Sequence, residues 1–164
     1  MGFPQPSHNQ SHTPKVAMTD LLKLFHLAAA ALWLGGMGFM LYALRPSALM
    51  LQPPARLPLM VAVLSRFFVI VWSVIAILLL TGYGMLAATG MKGAPIGWHL
   101  MIGIGVVMFL IFGHLYFGPF RRLKIAVAAA DWPEGGRRMG QIAKLVTLNF
   151  ALGWVAIAAV VLVK

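Results

Sequence analysis

Three histidines lie inside long apolar stretches of this chain and are its clearest candidates for chemistry. His26 lies in the first stretch, and His99 and His114 lie in the third. An imidazole surrounded by hydrocarbon is costly unless it has a partner, and in membrane helices it commonly serves a metal, a cofactor or a proton path. The sequence has no cysteine and only three carboxylates, which all lie at the ends of the apolar stretches or outside them. We therefore expect any chemistry within the membrane to depend on imidazole.

Four apolar stretches can position these histidines, at residues 21–44, 67–91, 97–118 and 145–163. Each has the roughly 20 residues that a helix needs to cross a bilayer. Hydrophobic residues make up 61% of the chain, which exceeds the usual share in a soluble domain. The sequence therefore predicts an all-α integral membrane protein, a four-helix bundle over residues 19–164. Residues 1–18, which include His8, His12 and several prolines, are predicted to form a flexible polar tail.

The basic residues are divided unequally between the two ends of these stretches. Nine flank the first and third connections, and four lie at the other end. The nine are Arg45, Arg56, Arg66, Arg121, Arg122, Lys124, Arg137, Arg138 and Lys144. By the positive-inside rule these connections face the cytoplasm, so both termini are predicted on the outer, periplasmic side of a bacterial inner membrane. The net charge of +10 then indicates contact with anionic lipid of the bilayer, and a nucleic-acid partner is not expected.

His26 and His99 are predicted to share one outer-side site. Trp33 lies seven residues after His26, which places both on one face of the first helix. His99 opens the third helix at nearly the same predicted depth. Two imidazoles at one depth on two helices is the arrangement that haem b or a copper ion uses, with ring nitrogens about 2 Å from the metal. Alternatively, His26 bonds a carbonyl of another helix and His99 reaches interfacial water.

His114 lies too far along its helix to join that site. Fifteen residues separate it from His99, which corresponds to about 22 Å in a helix. Asn149 in the fourth stretch has a similar predicted depth, so the sequence predicts a hydrogen bond between His114 and Asn149. A second cofactor site at His114 is the alternative.

Several short motifs carry a resemblance to a known family. They are Phe25-His26-Leu27, Trp33-Leu34-Gly35-Gly36, Arg45, Ser65-Arg66-Phe67-Phe68, Thr81-Gly82, and the third helix closing with Pro119 and basic residues. From Leu21 onward the chain resembles the CopD family of bacterial membrane proteins, named for copper resistance. The spacing of His26 and Trp33 is also similar to that in the HemJ-type protoporphyrinogen oxidases, a related four-helix family believed to hold haem b through a first-helix histidine. The resemblance implies site roles for His26 and Arg66.

Three functions follow as hypotheses. The paired imidazoles, with Trp33 beside them, favour a membrane protein that binds haem b and transfers electrons to a redox partner. The family resemblance and the outer-side methionines Met85, Met91 and Met101 favour copper handling or export, because a thioether suits Cu(I). The sequence has no recognisable catalytic constellation, which favours a non-catalytic subunit of a larger membrane complex and leaves enzymatic activity open.

Overall fold

The computed structural model describes residues 14–90 and 95–163, which fold into helices and contain no strand. Residues 1–13 of the predicted tail, with His8 and His12, lie outside the described residues, as does Met91, whereas residues 14–18 of that tail are helical. The helices are α1 (Pro14–Phe39), α2 (Arg45–Ala48), α3 (Pro53–Thr89), α4 (Ile96–Leu115), α5 (Arg121–Ala128) and α6 (Trp132–Leu162). Two π-helical segments, Met40–Leu44 and Tyr116–Phe120, connect α1 to α2 and α4 to α5 without a break.

Four helical segments in the described residues are long and apolar enough to cross a membrane. They are Met18–Ala48, Pro53–Ala88, Ile96–Ala128 and Trp132–Leu162. The predicted all-α fold with four potential spans is confirmed. Each segment exceeds the roughly 20 residues that a bilayer core requires, so the helices continue past the apolar stretches that the sequence shows.

The four long helices pack as two main pairs, α1 with α3 and α4 with α6. Contacts of Gly84 with Leu22 and of Gly97 with the α6 backbone bring the start of one helix beside the end of its partner, so both pairs are antiparallel. We call the end with α2, α5 and the start of α6 the basic end. The opposite end, where α1 begins and α6 finishes, is the terminal end.

The helix α3 begins at two prolines and contains a third, although prolines usually end a helix. In the sequence, Pro46, Pro53, Pro54 and Pro58 predict a turn that extends neither of the neighbouring helices. In the structure Pro53 and Pro54 occupy the first helical positions, where a missing amide proton costs little, and the helix continues through Pro58. Pro58 has no amide proton for the carbonyl oxygen of Pro54, one turn earlier. Both residues are exposed, so this oxygen can bond water. The helix therefore begins five residues earlier than Pro58 would suggest.

Aromatic side chains fill the middle of the bundle. Phe68 of α3 is 1% exposed and meets Phe112 and Phe120 edge-on, at centroid distances of 5.4 and 4.8 Å. Edge-to-face packing of this kind stabilises beyond the area that it buries. By contrast, many large apolar side chains on the outer surface are exposed, as expected for helices that contact lipid.

Candidate functional site

His26 is half-buried on α1 and faces α3. Its Nδ1 lies 2.8 Å from the hydroxyl Oγ1 of Thr81, and that hydroxyl lies 2.7 Å from the carbonyl oxygen of Ile77. A carbonyl only accepts hydrogen bonds, so the hydroxyl donates to Ile77 and accepts from the ring. This network assigns the proton of the neutral imidazole to Nδ1 and leaves the lone pair of Nε2 free.

His99 is held in a similar way, although its partner belongs to its own helix. Its Nδ1 lies 3.1 Å from the carbonyl oxygen of Pro95, one turn earlier. The carbonyl must accept, so Nδ1 again carries the proton and Nε2 keeps its lone pair. Unlike His26, His99 is exposed. His26 therefore has a partner on another helix, as the alternative prediction has it, but that partner is a hydroxyl and not a carbonyl.

The structure gives the two imidazoles different neighbours. His26 lies in the interface between α1 and α3, and His99 lies at the first turn of α4. Within the described residues no hydrogen bond joins them, and no cluster of three or more histidine, cysteine or acidic side chains could hold a metal. Any metal at His26 must therefore use few ligands or a ligand of another kind.

Trp33 and Arg66, the other two predicted site residues, lie in contrasting environments. Trp33 is 5% exposed, stacks on Phe109 at 5.8 Å and meets the edge of Phe112 at 6.4 Å. Its ring is part of the aromatic core. Arg66 is exposed on α3, and none of the ion pairs found in the described residues includes it. Neither side chain contacts His26 through a hydrogen bond.

The predicted hydrogen bond between His114 and Asn149 is wrong. Asn149 is buried in the α4–α6 interface, and its amide nitrogen donates to the carbonyl oxygen of Met108 at 3.2 Å. Its side-chain oxygen has no hydrogen-bond partner in the described part of the chain. His114 is exposed on the surface of α4. The bond places Asn149 level with Met108, which precedes His114 by six residues or about 9 Å along the helix, so the two residues differ in depth as well as in direction.

Two cavities lie at the basic end, away from the histidines. The smaller, of about 10 Å³, is lined by Met40, Met60 and Met139 from three different elements, with Arg45 beside them. Three thioethers could suit Cu(I), but a guanidinium in the same lining repels a cation. The larger cavity, of about 110 Å³, contains both Arg45 and Arg56 in its lining. Its chemistry favours an anion.

Sequence reasoning missed the partner of His26 and the pairing of the two arginines. Thr81 belongs to the Thr81-Gly82 motif, yet a hydroxyl in a helix usually bonds its own backbone, so sequence alone gives it no role. In the sequence, Arg45 and Arg56 are only two of many basic residues. Their common cavity depends on the turn between α2 and α3, which brings residues eleven positions apart to one place.

The comparisons with known proteins point to one family. A family model described as CopD, copper resistance protein D, matches residues 61–163, which is more than half of the chain. The match includes Arg66, Thr81 and His99 and leaves out α1 with His26 and Trp33. No curated protein and no solved structure matches the chain.

Proposed function

This chain belongs to the CopD family, copper resistance protein D, and from that premise we propose that it handles copper in a bacterial inner membrane. The structure and the family agree on a multi-pass membrane protein. In this proposal copper is cargo rather than a resident cofactor. The observation that supports the proposal is the hydrogen bond from His26 to Thr81, which leaves one ring nitrogen available to a metal.

A histidine that binds a metal commonly donates its other ring N–H to a neighbouring acceptor. That bond fixes the tautomer and the orientation of the ring. Thr81 provides such an acceptor for His26, and the Pro95 carbonyl provides one for His99. We propose that Nε2 of His26 is the principal copper ligand and that Nε2 of His99 is a second one.

A thioether lies near this proposed ligand along α3. Met85 is buried and follows Thr81 by four residues, so the two side chains lie on the same face of α3, one turn apart. Soft thioether and imidazole ligands suit Cu(I). This combination also explains how a site without cysteine or a carboxylate could take copper, since Cu(I) needs neither.

Haem b would use the same two nitrogens, and it is the alternative that the sequence favours. Two observations favour copper instead. The family match concerns copper resistance, and Trp33 is 5% exposed and stacked on Phe109, so this tryptophan has no open face for a porphyrin. The proposal therefore assigns Trp33 to the core. It gives Arg66 no cofactor role, because no ion pair or hydrogen bond found in the described residues links Arg66 to His26.

Metal binding by the purified full-length protein tests the proposal. We expect no Soret band in its visible spectrum and one bound Cu(I) in an anaerobic titration against a competing chelator. His26→Ala and His99→Ala should each weaken Cu(I) binding by about 10-fold or more. His114→Ala is the matched control and should change little. A Soret band lost in His26→Ala would establish haem instead, and protein with neither copper nor haem would favour the subunit hypothesis.

The orientation of the bundle is a separate part of the proposal. We propose that the basic end faces the cytoplasm, because nine basic residues lie there and basic connections remain inside. A reporter fused after Lys164 should be active in the periplasm, and one inserted near Gly135 should be active in the cytoplasm. The reverse result would move the proposed copper site to the cytoplasmic half.

A further inference from the structure

The larger cavity at the basic end has a composition that the copper proposal does not use. It lies between the α2–α3 connection and the first turns of α6, and its lining includes Arg45, Arg56, Gly136 and Gly140. Its volume is about 110 Å³. A void needs only about 10–15 Å³ by this measure to hold one water molecule, so the cavity has room for a group the size of phosphate.

The charges in this cavity are not neutralised by the chain itself. The whole sequence contains three acidic residues, and the structure shows a partner for each. Asp20 pairs with Lys23, Asp131 caps the backbone of Glu134, and Glu134 bonds Arg137 and Arg138. Arg45 and Arg56 therefore share one cavity with no carboxylate for either.

Two glycines of α6 leave the opposite wall of the cavity open. A Cβ atom added at Gly136 or at Gly140 would meet no heavy atom within 4 Å. The neighbouring Gly135 differs, because a Cβ there would lie 2.8 Å from the Leu57 side chain. Close packing thus explains Gly135 but not Gly136 or Gly140, whose missing side chains keep space free inside the cavity.

The rim of the cavity is apolar and exposed. Leu49, which also contributes to the lining, is 58% exposed, and Met50 beside it is 88% exposed. Both follow directly after the first segment that is long and apolar enough to cross a membrane, so we expect them near the surface of the bilayer. A cationic cavity with an apolar rim matches a molecule that has an anionic head and an acyl chain.

We propose that this cavity binds a phosphate group, held between the guanidinium groups of Arg45 and Arg56. Planar guanidinium groups donate paired hydrogen bonds that fit phosphate oxygens. The rim identifies an anionic phospholipid of the predicted cytoplasmic leaflet as the source of that phosphate, with soluble phosphate as the other source of the same chemistry. This inference does not depend on copper.

Binding of two probes to the full-length protein in neutral detergent tests the inference. The probes are dioctanoyl phosphatidylglycerol and inorganic phosphate, and binding is followed by native mass spectrometry and by the shift in thermal unfolding. We expect Arg45→Gln/Arg56→Gln to weaken phosphatidylglycerol binding by about 10-fold or more. Arg121→Gln/Arg122→Gln removes the same charge from two arginines of α5 that do not line the cavity and should weaken it less than about 2-fold.

A second pair of variants tests the cavity without changing its charge. Gly140→Leu should fill the cavity and reduce phosphatidylglycerol binding, whereas Gly113→Leu, also in open space but on α4, should not. This pair decides the matter if the double arginine variant does not fold. Inorganic phosphate that binds as tightly as the lipid and shows the same arginine dependence would identify soluble phosphate as the source.

Three outcomes would overturn the proposal. Wild-type protein that binds neither probe has no such site. Equal losses in the two double arginine variants would mean that the lipid responds to the overall positive field. Unchanged binding in Gly140→Leu would place the ligand outside this cavity.

Discussion

The α1–α3 and α4–α6 interfaces both hold polar side chains among apolar helices, and they hold them differently. His26 is half-buried, and a side chain of the opposite helix accepts its Nδ1 proton. Asn149 is 3% exposed and donates to the backbone of the opposite helix. Nε2 of His26 is therefore a free acceptor at a half-buried position. The side-chain oxygen of Asn149 is also without a partner, but it is enclosed by the packed helices.

Glycine contacts show the same difference in packing. At Gly97 a Cβ would lie 2.5 Å from the backbone oxygens of Ala159 and Val163, so α4 and α6 approach each other through their main chains. At Gly84 a Cβ would lie 3.0 Å from the tip of the Leu22 side chain, which can rotate away. We therefore expect the α4–α6 interface to be the more rigid one where these glycines lie, and the α1–α3 interface to adjust more readily.

The largest effect on stability should come from adding a methyl group to the rigid interface. Gly97→Ala should destabilise the protein by about 1–3 kcal/mol, because backbone atoms cannot move aside as a side chain can. Thermal unfolding in detergent measures the change. Gly84→Ala is the matched substitution in the other interface and should cost much less, since Leu22 can adjust. Equal losses would mean that the two interfaces are equally rigid.

Removing the hydroxyl that holds His26 should have the next largest effect, and on copper rather than on folding. Thr81→Val keeps the shape of the side chain but removes the acceptor for Nδ1, so the ring loses its fixed tautomer. Groups that orient metal ligands are typically worth 10-fold to 100-fold in affinity, and we expect about 10-fold for Cu(I). Thr81→Ser should restore binding. Weak binding in both variants would indicate that Thr81 matters only for packing.

The smallest effect should come from the polar group in the rigid interface. Asn149→Leu removes one hydrogen bond together with an unpaired buried oxygen, and these contributions oppose each other. Hydrogen bonds between membrane helices average only about 0.6 kcal/mol, so we expect a change in unfolding free energy of less than about 1 kcal/mol. Copper binding should not change. A large loss of stability would show that the side-chain oxygen has a partner that the hydrogen-bond pattern does not reveal.

Much of the fold follows from the sequence because the bilayer imposes a simple rule. Twenty apolar residues in a row make a helix that can span the membrane, and this rule predicts the four potential spans. It does not predict that α3 begins at Pro53, because proline is usually a signal of helix termination. Pro58 is tolerated because it lies in the second turn of the helix, where the carbonyl that it leaves without a partner is exposed to solvent.

The site is less predictable, because counting residues gives only an approximate depth for a side chain and no direction. Counting residues predicts similar depths for His114 and Asn149, yet Asn149 lies level with Met108, six residues before His114, and His114 is turned outward. The same limit hides the contact between His26 and Thr81, which lie 55 positions apart. Which residue of α3 faces which residue of α1 is decided by how the two helices fit together.

Nitrogen NMR of protein labelled at histidine tests the central claim most directly, because it observes the atom that we propose as the copper ligand. Before metal is added, the resonance of His26 should show a proton on Nδ1 and none on Nε2, as the bond to Thr81 requires. Stoichiometric Cu(I) should then shift Nε2 of His26 and leave both nitrogens of His114 unchanged. A proton on Nε2 before addition, or a His26 resonance that copper does not move, would contradict the account.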